Sequence, residues 1–395
     1  MPVELLHDMK PDLTAQDAAR QRFVSGLRRF VLNDMAADMR RAWHTRVEPE
    51  FIARNGRPPR DGAEVHKAMR ADPSFKAYSA VRVQAQRMVW DSVTPVVQRE
   101  RDKRREIAAR VADRPGTVVL DPDLATPRNV SAIDVHLMPG SYVGGEDPLD
   151  TGAVYDQGLS VFAMGLMGRN LDDIGGSMAT YIKTRYPGFQ PGVILDLGCT
   201  IGHNTLPWKE AYPEAEVIGI DVAAPGLLYG SARAKLQGKA VTFRQMSADA
   251  LAFPDASVDL VFSSMFLHEI SLKTIRQVMA EAHRVLRPGG LMLHMELPPN
   301  QEVSPFDGFY LDWDCYYNAE PYYKTFRDQD PVALCEAGGF DRADTITFAT
   351  PSLGLYGEAA IRDVATSAVG GTVDSQTTGR LADGVNWFGF GAWKR

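Results

Sequence analysis

The 395 residues include only three cysteines, Cys199, Cys315 and Cys335, widely spaced and without a C-x-x-C pair. A scattered, odd-numbered set excludes a disulfide framework and argues against a structural zinc site. No apolar run approaches the ~18 residues that cross a bilayer. The opening Met1-Pro2-Val3-Glu4-Leu5-Leu6-His7-Asp8 lacks the basic and apolar regions of a signal peptide. The expectation is a soluble cytoplasmic protein. Repeats and low-complexity tracts are also missing, and 45% apolar with 24% charged residues excludes disordered, collagen-like and coiled-coil classes.

What is present is unevenly distributed. The net charge of -7 hides a +7 segment at residues 1–114 and a -14 remainder. The first segment is helical in pattern: Phe23, Leu27, Phe30, Val31, Met35 and Met39 recur at three- and four-residue steps after a cap-like Thr14. Asn55-Gly56-Arg57-Pro58-Pro59 breaks it, and a second helical stretch runs from about Pro73 to Val111. The mixed run Arg99-Glu100-Arg101-Asp102-Lys103-Arg104-Arg105-Glu106 reads as a solvated helix face rather than a nucleic-acid patch, because acids interrupt the bases. The expected organisation is an α-helical cap or dimerisation domain at 1–114 and a mixed connecting, cofactor-covering segment at 115–190, with strand candidates at 117–120 and 132–137. From 191 to 395 short apolar strands alternate with helices, the βαβ signature of a parallel sheet.

In that last part the strand Val193–Leu197 runs into Gly198-Cys199-Thr200-Ile201-Gly202, a turn that lets a ligand lie against backbone at a helix start. A second strand, 216–220, ends in Asp221, where a carboxylate can accept both hydroxyls of a ribose. Further units follow: 241–246 leading to Ala248-Asp249-Ala250; 257–262 opening onto Ser263-Ser264-Met265-Phe266-Leu267-His268-Glu269; and 281–286, the turn Arg287-Pro288-Gly289-Gly290, and Leu291–Glu296. A nicotinamide-binding fingerprint G-x-G-x-x-G is not supplied by residues 198–203.

With these motifs in this order, residues 150–395 resemble the class I S-adenosylmethionine-dependent methyltransferases. The resemblance implies an α/β fold, a Rossmann-like seven-stranded methyltransferase domain behind the helical N-terminal domain, with S-adenosyl-L-methionine as cofactor. It assigns Asp196, Gly198, Cys199, Thr200 and Gly202 to the first cofactor motif and Asp221 with Val222 to the ribose. Asp249, with Ala248 and Ala250, goes to the adenine side, and Ser263 to the same site. Thr200 stands where the family most often has a glycine, which puts the loop geometry in question.

Methyl transfer is an in-line displacement, so placement in a dry pocket carries much of the catalysis, and a base helps only an acceptor that must lose a proton. His268, Glu269 and Glu296 are the candidate catalytic residues; His294 reads as a core histidine, and no metal site is expected from His268, Glu269 and Glu296. Nine aromatics between Phe306 and Phe326 mark an insertion at 304–328. They line an acceptor pocket or pack the insertion against the N-terminal helices; Phe309, Tyr310, Trp313 and Tyr317, with Tyr155 upstream, are the substrate-binding candidates. The expected partner is an aromatic or apolar small molecule, with oxygen favoured over nitrogen or carbon, and a homodimer through the N-terminal helices. The acidic site half argues against nucleic acid. An RNA or protein methyltransferase docking through the basic helices, a non-catalytic cofactor-binding scaffold, and another reaction on the same fold are the alternatives.

Overall fold

The computed structural model describes residues 5–374, 377–381 and 384–395. Residues 1–4, the first half of the stretch inspected for a signal sequence, lie outside the described residues, as do four positions of the Gly- and Thr-rich segment 370–384.

Eight strands form one sheet: β1 (Thr117–Val119), β2 (Val193–Leu197), β3 (Glu216–Asp221), β4 (Thr242–Gln245), β5 (Val258–Ser264), β6 (Leu286–Glu296), β7 (Thr345–Pro351) and β8 (Asn386–Trp393). Their order is β1-β4-β3-β2-β5-β6-β8-β7. All pairings from β1 to β6 are parallel, and β8 is antiparallel to both β6 and β7. The expected seven strands are there, and the eighth is β1, contributed by the connecting segment and paired to β4 at the edge. The other strand candidate of that segment, 132–137, is not a strand. It follows the short helix Arg128–Ser131 and ends in the 3-10 turn Val135–Leu137, in which His136 and Leu137 both adopt positive φ.

Side-chain alternation along the strands feeds cores on both faces. Ile194, Leu260, Phe262 and Leu293 pack on one side, Leu195, Leu197, Val261 and Met292 on the other. The order reverses where β2 sits between β3 and β5, and the crevice at the carboxyl ends of those strands is where such sheets bind ligands.

The N-terminal helix Ala15–Phe30 starts with a capping box between Thr14 and Asp17 and continues through two π-helical turns, Val31–Met35 and Trp43–Val47. The 27-residue helix Pro73–Arg99 lies against it. Val31, Trp43, Phe75 and Tyr78 from this region share a core with Phe306, Phe309 and Trp313 of the aromatic insertion. Ion pairs bind the same surfaces: Arg40 to Asp307 at 2.5 Å and Arg82 to Asp314 at 2.9 Å. The basic run 99–106 is not merely a solvated face. Arg104 is buried and, with Arg101, holds Asp150 at 2.6 Å, while Arg105 holds Asp147 at 2.6 Å. The basic third therefore finds acidic partners within its own chain.

Candidate active site

Two cavities open at the carboxyl ends of β2 to β5 and meet at one loop. Gly198, Thr200, Tyr142 and Met265 line both. The smaller, about 1080 Å³ with its mouth, is walled by Asp221, Val222, Met246, Ala248, Asp249 and Glu269. The larger, about 1470 Å³ with its mouth, is walled by Asp196 and Cys199 below, Tyr155 and Phe162 to one side, and Arg28, Leu32 and Arg82 from the N-terminal helices. Tyr310, Leu311 and Tyr323 of the insertion complete it.

The joining loop is built by backbone geometry. Gly198 and Gly202 have φ of 69° and 72°, and Thr200 adopts φ 51°, the left-handed conformation that favours glycine. Its amide donates to Asp221 Oδ2 at 3.0 Å, and the Ala223 amide donates to Oδ1 at 2.8 Å. Thr200 thus keeps the glycine-like shape, with the Asp221 carboxylate as its tie. A Cβ at Gly202 would run into the Phe243 ring, so this glycine serves packing and lines neither cavity. Asp196 is buried, accepts from Thr205 Oγ1 at 2.5 Å, and burial pushes its carboxyl up to about 7.

Sequence-expected residues divide between the cavities and the interior. Asp221, Val222, Ala248 and Asp249 share the smaller cavity, while the exposed Ala250 does not line it. Ser263 points into the core and bonds His294 Nδ1 at 2.7 Å; its neighbour Ser264 faces the larger cavity instead, as strand alternation demands, and Met265, past the end of β5 with φ 52°, lines the cavity too. His294 is buried, and burial lowers it to about 3, so it stays a neutral core imidazole. Of the substrate candidates, Tyr155 and Tyr310 line the larger cavity. Phe309, Trp313 and Tyr317 do not. They pack against Phe75, Tyr78 and His66 in the seam between insertion and N-terminal helices.

His268 sits on the 3-10 turn Leu267–Glu269 and lines the larger cavity. Glu296, fully buried at the end of β6, accepts from the Phe266 and Leu267 amides at 2.8 and 2.6 Å and pairs with His268 Nδ1 at 2.6 Å. Glu296 reaches neither cavity, so it positions the imidazole and the turn. The other imidazole nitrogen, Nε2, lies 3.8 Å from Glu269 and 3.9 Å from Glu320. Burial alone would lower this histidine, but Glu296, with Glu269 and Glu320, raises it to about 9. At neutral pH it is an imidazolium.

Sequence reasoning missed several partners. His136 bridges Glu269 (Nε2 to Oε1, 3.2 Å) and Glu320 (Nδ1 to Oε1, 2.9 Å), and Asn318 donates to Glu320 at 2.6 Å. Burial opposes its charge, yet the two carboxylates hold His136 well above the ordinary histidine value. His136, Glu269 and Glu320 offer ligand atoms within 4.8 Å of one another, but the carboxylates occupy opposite ring nitrogens. The trio forms an ion-pair chain through the imidazole of His136. Arg28, 5% exposed, was also missed: its Nε donates to the Phe162 carbonyl at 2.9 Å and its Nη1 to Gln86 Oε1 at 2.6 Å, with the guanidinium 3.9 Å over the Phe162 ring. Burial, then repulsion by Arg82, pulls Arg28 down to about 9, still charged at neutral pH. No local sequence pattern singles out His136 and Arg28, which lie 58 to 184 positions from these partners.

A methyltransferase-domain family profile matches residues 194–290. Over 127 residues the chain is 37% identical to a demethylmenaquinone methyltransferase of Thermus thermophilus, covering 32% of this chain and 55% of that one. It is 35% identical over 112 residues to malonyl-[acyl-carrier protein] O-methyltransferase 1 of Coxiella burnetii, 28% of this chain and 35% of that one. The chain thus spans roughly a third to a half of the length of these curated relatives. Among solved structures, phosphoethanolamine N-methyltransferase 2 of Haemonchus contortus with S-adenosyl-L-methionine aligns with TM-score 0.40 and 19% identity over 64% of this chain and 60% of that chain. Residues 194–290, which hold β2 to β5 and the loop between the cavities, thus match a methyltransferase-domain family, and the parallel sheet with its reversed β8 is built around that part.

Proposed function

We propose that the chain transfers a methyl group from S-adenosylmethionine to a small-molecule acceptor held in the larger cavity. The observation that carries this reading is the junction of the two cavities at Gly198–Thr200. The smaller presents the Asp221 and Asp249 carboxylates to a ribose and an adenine; the larger presents apolar and aromatic walls to an acceptor. The donor set fits the cofactor: carboxylates for the sugar hydroxyls, a glycine turn at Gly198 in the wall of both cavities, and the Asp196 carboxyl in the wall of the larger one. When bound, the cofactor supplies an already activated methyl group.

The chain's own residues then bind, orient and exclude water. His268, charged at neutral pH and fixed by Glu296, is suited to hold an acceptor oxygen that is already anionic. Glu320, which lines the same cavity and faces its Nε2, is the group available to take a proton from a hydroxyl, with Glu269 beside it on the side of the smaller cavity. Oxygen is the acceptor atom this arrangement favours, with nitrogen or carbon as alternatives. Homodimerisation through the N-terminal helices has one feature in its favour, the exposed Phe23 and Phe30 seven residues apart on the helix Ala15–Phe30. Among the described residues no helix is long and apolar enough to cross a membrane.

Calorimetric titration with S-adenosylmethionine tests the reading. The wild-type chain binds it, and Asp221→Ala weakens binding by about tenfold or more while the protein stays folded. Absence of binding by the pure protein sinks the proposal; unchanged binding by the variant misplaces the ribose contact.

A further inference from the structure

Three guanidiniums line the larger cavity: Arg28, Arg82 and Arg380. Two are matched. Arg82 Nη2 donates to both carboxylate oxygens of Asp314 at 2.9 and 3.0 Å, and Arg380 is bonded to Asp307. Arg28 has no carboxylate partner among the described residues; its Nε and Nη1 are spent on a carbonyl and an amide oxygen. The wall shared by Arg28, Arg82 and Asp314 therefore carries two fixed positive charges and one negative. A cation this deeply buried is expected to have an anion beside it, since desolvation without a partner is strongly unfavourable.

The surroundings narrow the anion. The Phe162 ring lies 3.9 Å from the Arg28 guanidinium, and Leu32, Leu159 and Trp90 line the same cavity, so apolar side chains stand alongside its charged neighbours Arg82 and Asp314. Among the described residues Nη2 is the nitrogen with no hydrogen-bond partner, and the guanidinium is already fixed against the Phe162 ring. One preorganised donor in an apolar wall suits a singly charged, flat carboxylate; a dianionic phosphate calls for several donors. Resting on the methyltransferase reading and deepening it, we infer that the acceptor is a carboxylic acid with an aromatic or apolar body, anchored by its carboxylate on Arg28. The π-helical turn Val31–Met35, which directly follows this helix and puts Leu32 in the cavity wall, is part of the same arrangement.

The test uses 2-naphthoate and its neutral isostere 2-naphthamide as probes, titrated calorimetrically into the full chain saturated with S-adenosylhomocysteine. The wild type is expected to bind the carboxylate about tenfold or more tighter than the amide. Arg28→Gln, which keeps a donor for the Phe162 carbonyl, is expected to abolish the preference while S-adenosylhomocysteine binds as before. Arg28→Lys, which keeps the charge, is expected to retain a preference even if Arg28→Gln folds poorly. A merely structural Arg28 would leave the carboxylate-to-amide ratio untouched. Equal binding of the two probes, no binding of either, or a preference that survives Arg28→Gln overturns the inference. Failure of the wild type to bind S-adenosylhomocysteine would instead overturn the methyltransferase reading, and the two outcomes are read in separate titrations.

Discussion

At the residue scale the decisive feature is how few side chains shape the joining loop. Thr200 in the left-handed region holds a strain of about 1 kcal/mol, and the Asp221 carboxylate compensates by accepting its amide. Thr200→Gly is therefore expected to leave thermal stability unchanged or raised by about 1 kcal/mol, whereas the β-branched, apolar Thr200→Val is expected to lower it. Denaturant unfolding of both variants checks the sign. His268 gives a second prediction. Its folded-state value of about 9 lies above the ordinary 6.5, so its contribution is present in full below about 6.5 and is lost as pH rises toward and through 9. The wild type should lose stability across that window relative to His268→Gln, which lacks the titrating ring. A parallel pair of pH profiles would contradict the carboxylate cage around the imidazole.

At the scale of elements, the aromatic insertion divides its labour by helix face. Tyr310, Leu311 and Tyr323 face the cavity, while Phe309 and Trp313 are buried against the N-terminal helices, with Trp313 Nε1 donating to Ser79 Oγ at 3.0 Å. Phe309→Ala is expected to cost about 3 to 5 kcal/mol of stability and leave S-adenosylhomocysteine affinity unchanged. Tyr310→Ala is expected to act on acceptor binding. Denaturant curves and titrations separate the two roles, and equal effects would mean the faces are assigned wrongly.

The same elements show what the sequence made legible. Strand and turn spacing, read through periods of two and glycine-rich turns, located β2 to β6, β8, the loop at 198–202 and the Asp221 carboxylate, while Asp249 came from the family resemblance. Which face a given residue takes was harder. Ser263 and Ser264 differ by one position and point to opposite sides, and Phe23 and Phe30, read as an apolar stripe, are exposed. His136, Glu320 and Arg28 were illegible, because each acquires its meaning only from partners brought up by the tertiary fold.

At the scale of the whole molecule, the opposed charges of the two parts are an internal fit. Arg40, Arg82, Arg101, Arg104 and Arg105 find their acids at Asp307, Asp314, Asp150 and Asp147. The N-terminal helices also supply Arg28, Leu32, Arg82 and Trp90 to the cavity wall. Helices of this segment thus form part of the cavity wall, and a chain lacking residues 1–114 is expected to expose the aromatic seam and lose acceptor binding. A truncated protein that stays soluble and fully active would refute this role.

The central claim is that the smaller cavity holds the nucleoside of the cofactor and the larger holds the acceptor, with the reacting sulfur at their junction. A crystal structure of the full chain with S-adenosylhomocysteine tests it most directly. The account predicts the ribose on Asp221, the adenine beside Asp249, and the sulfur at Gly198–Thr200 facing the space lined by Arg28, Tyr155, His268 and Tyr310. A nucleoside bound elsewhere, or a sulfur turned away from that space, would contradict it.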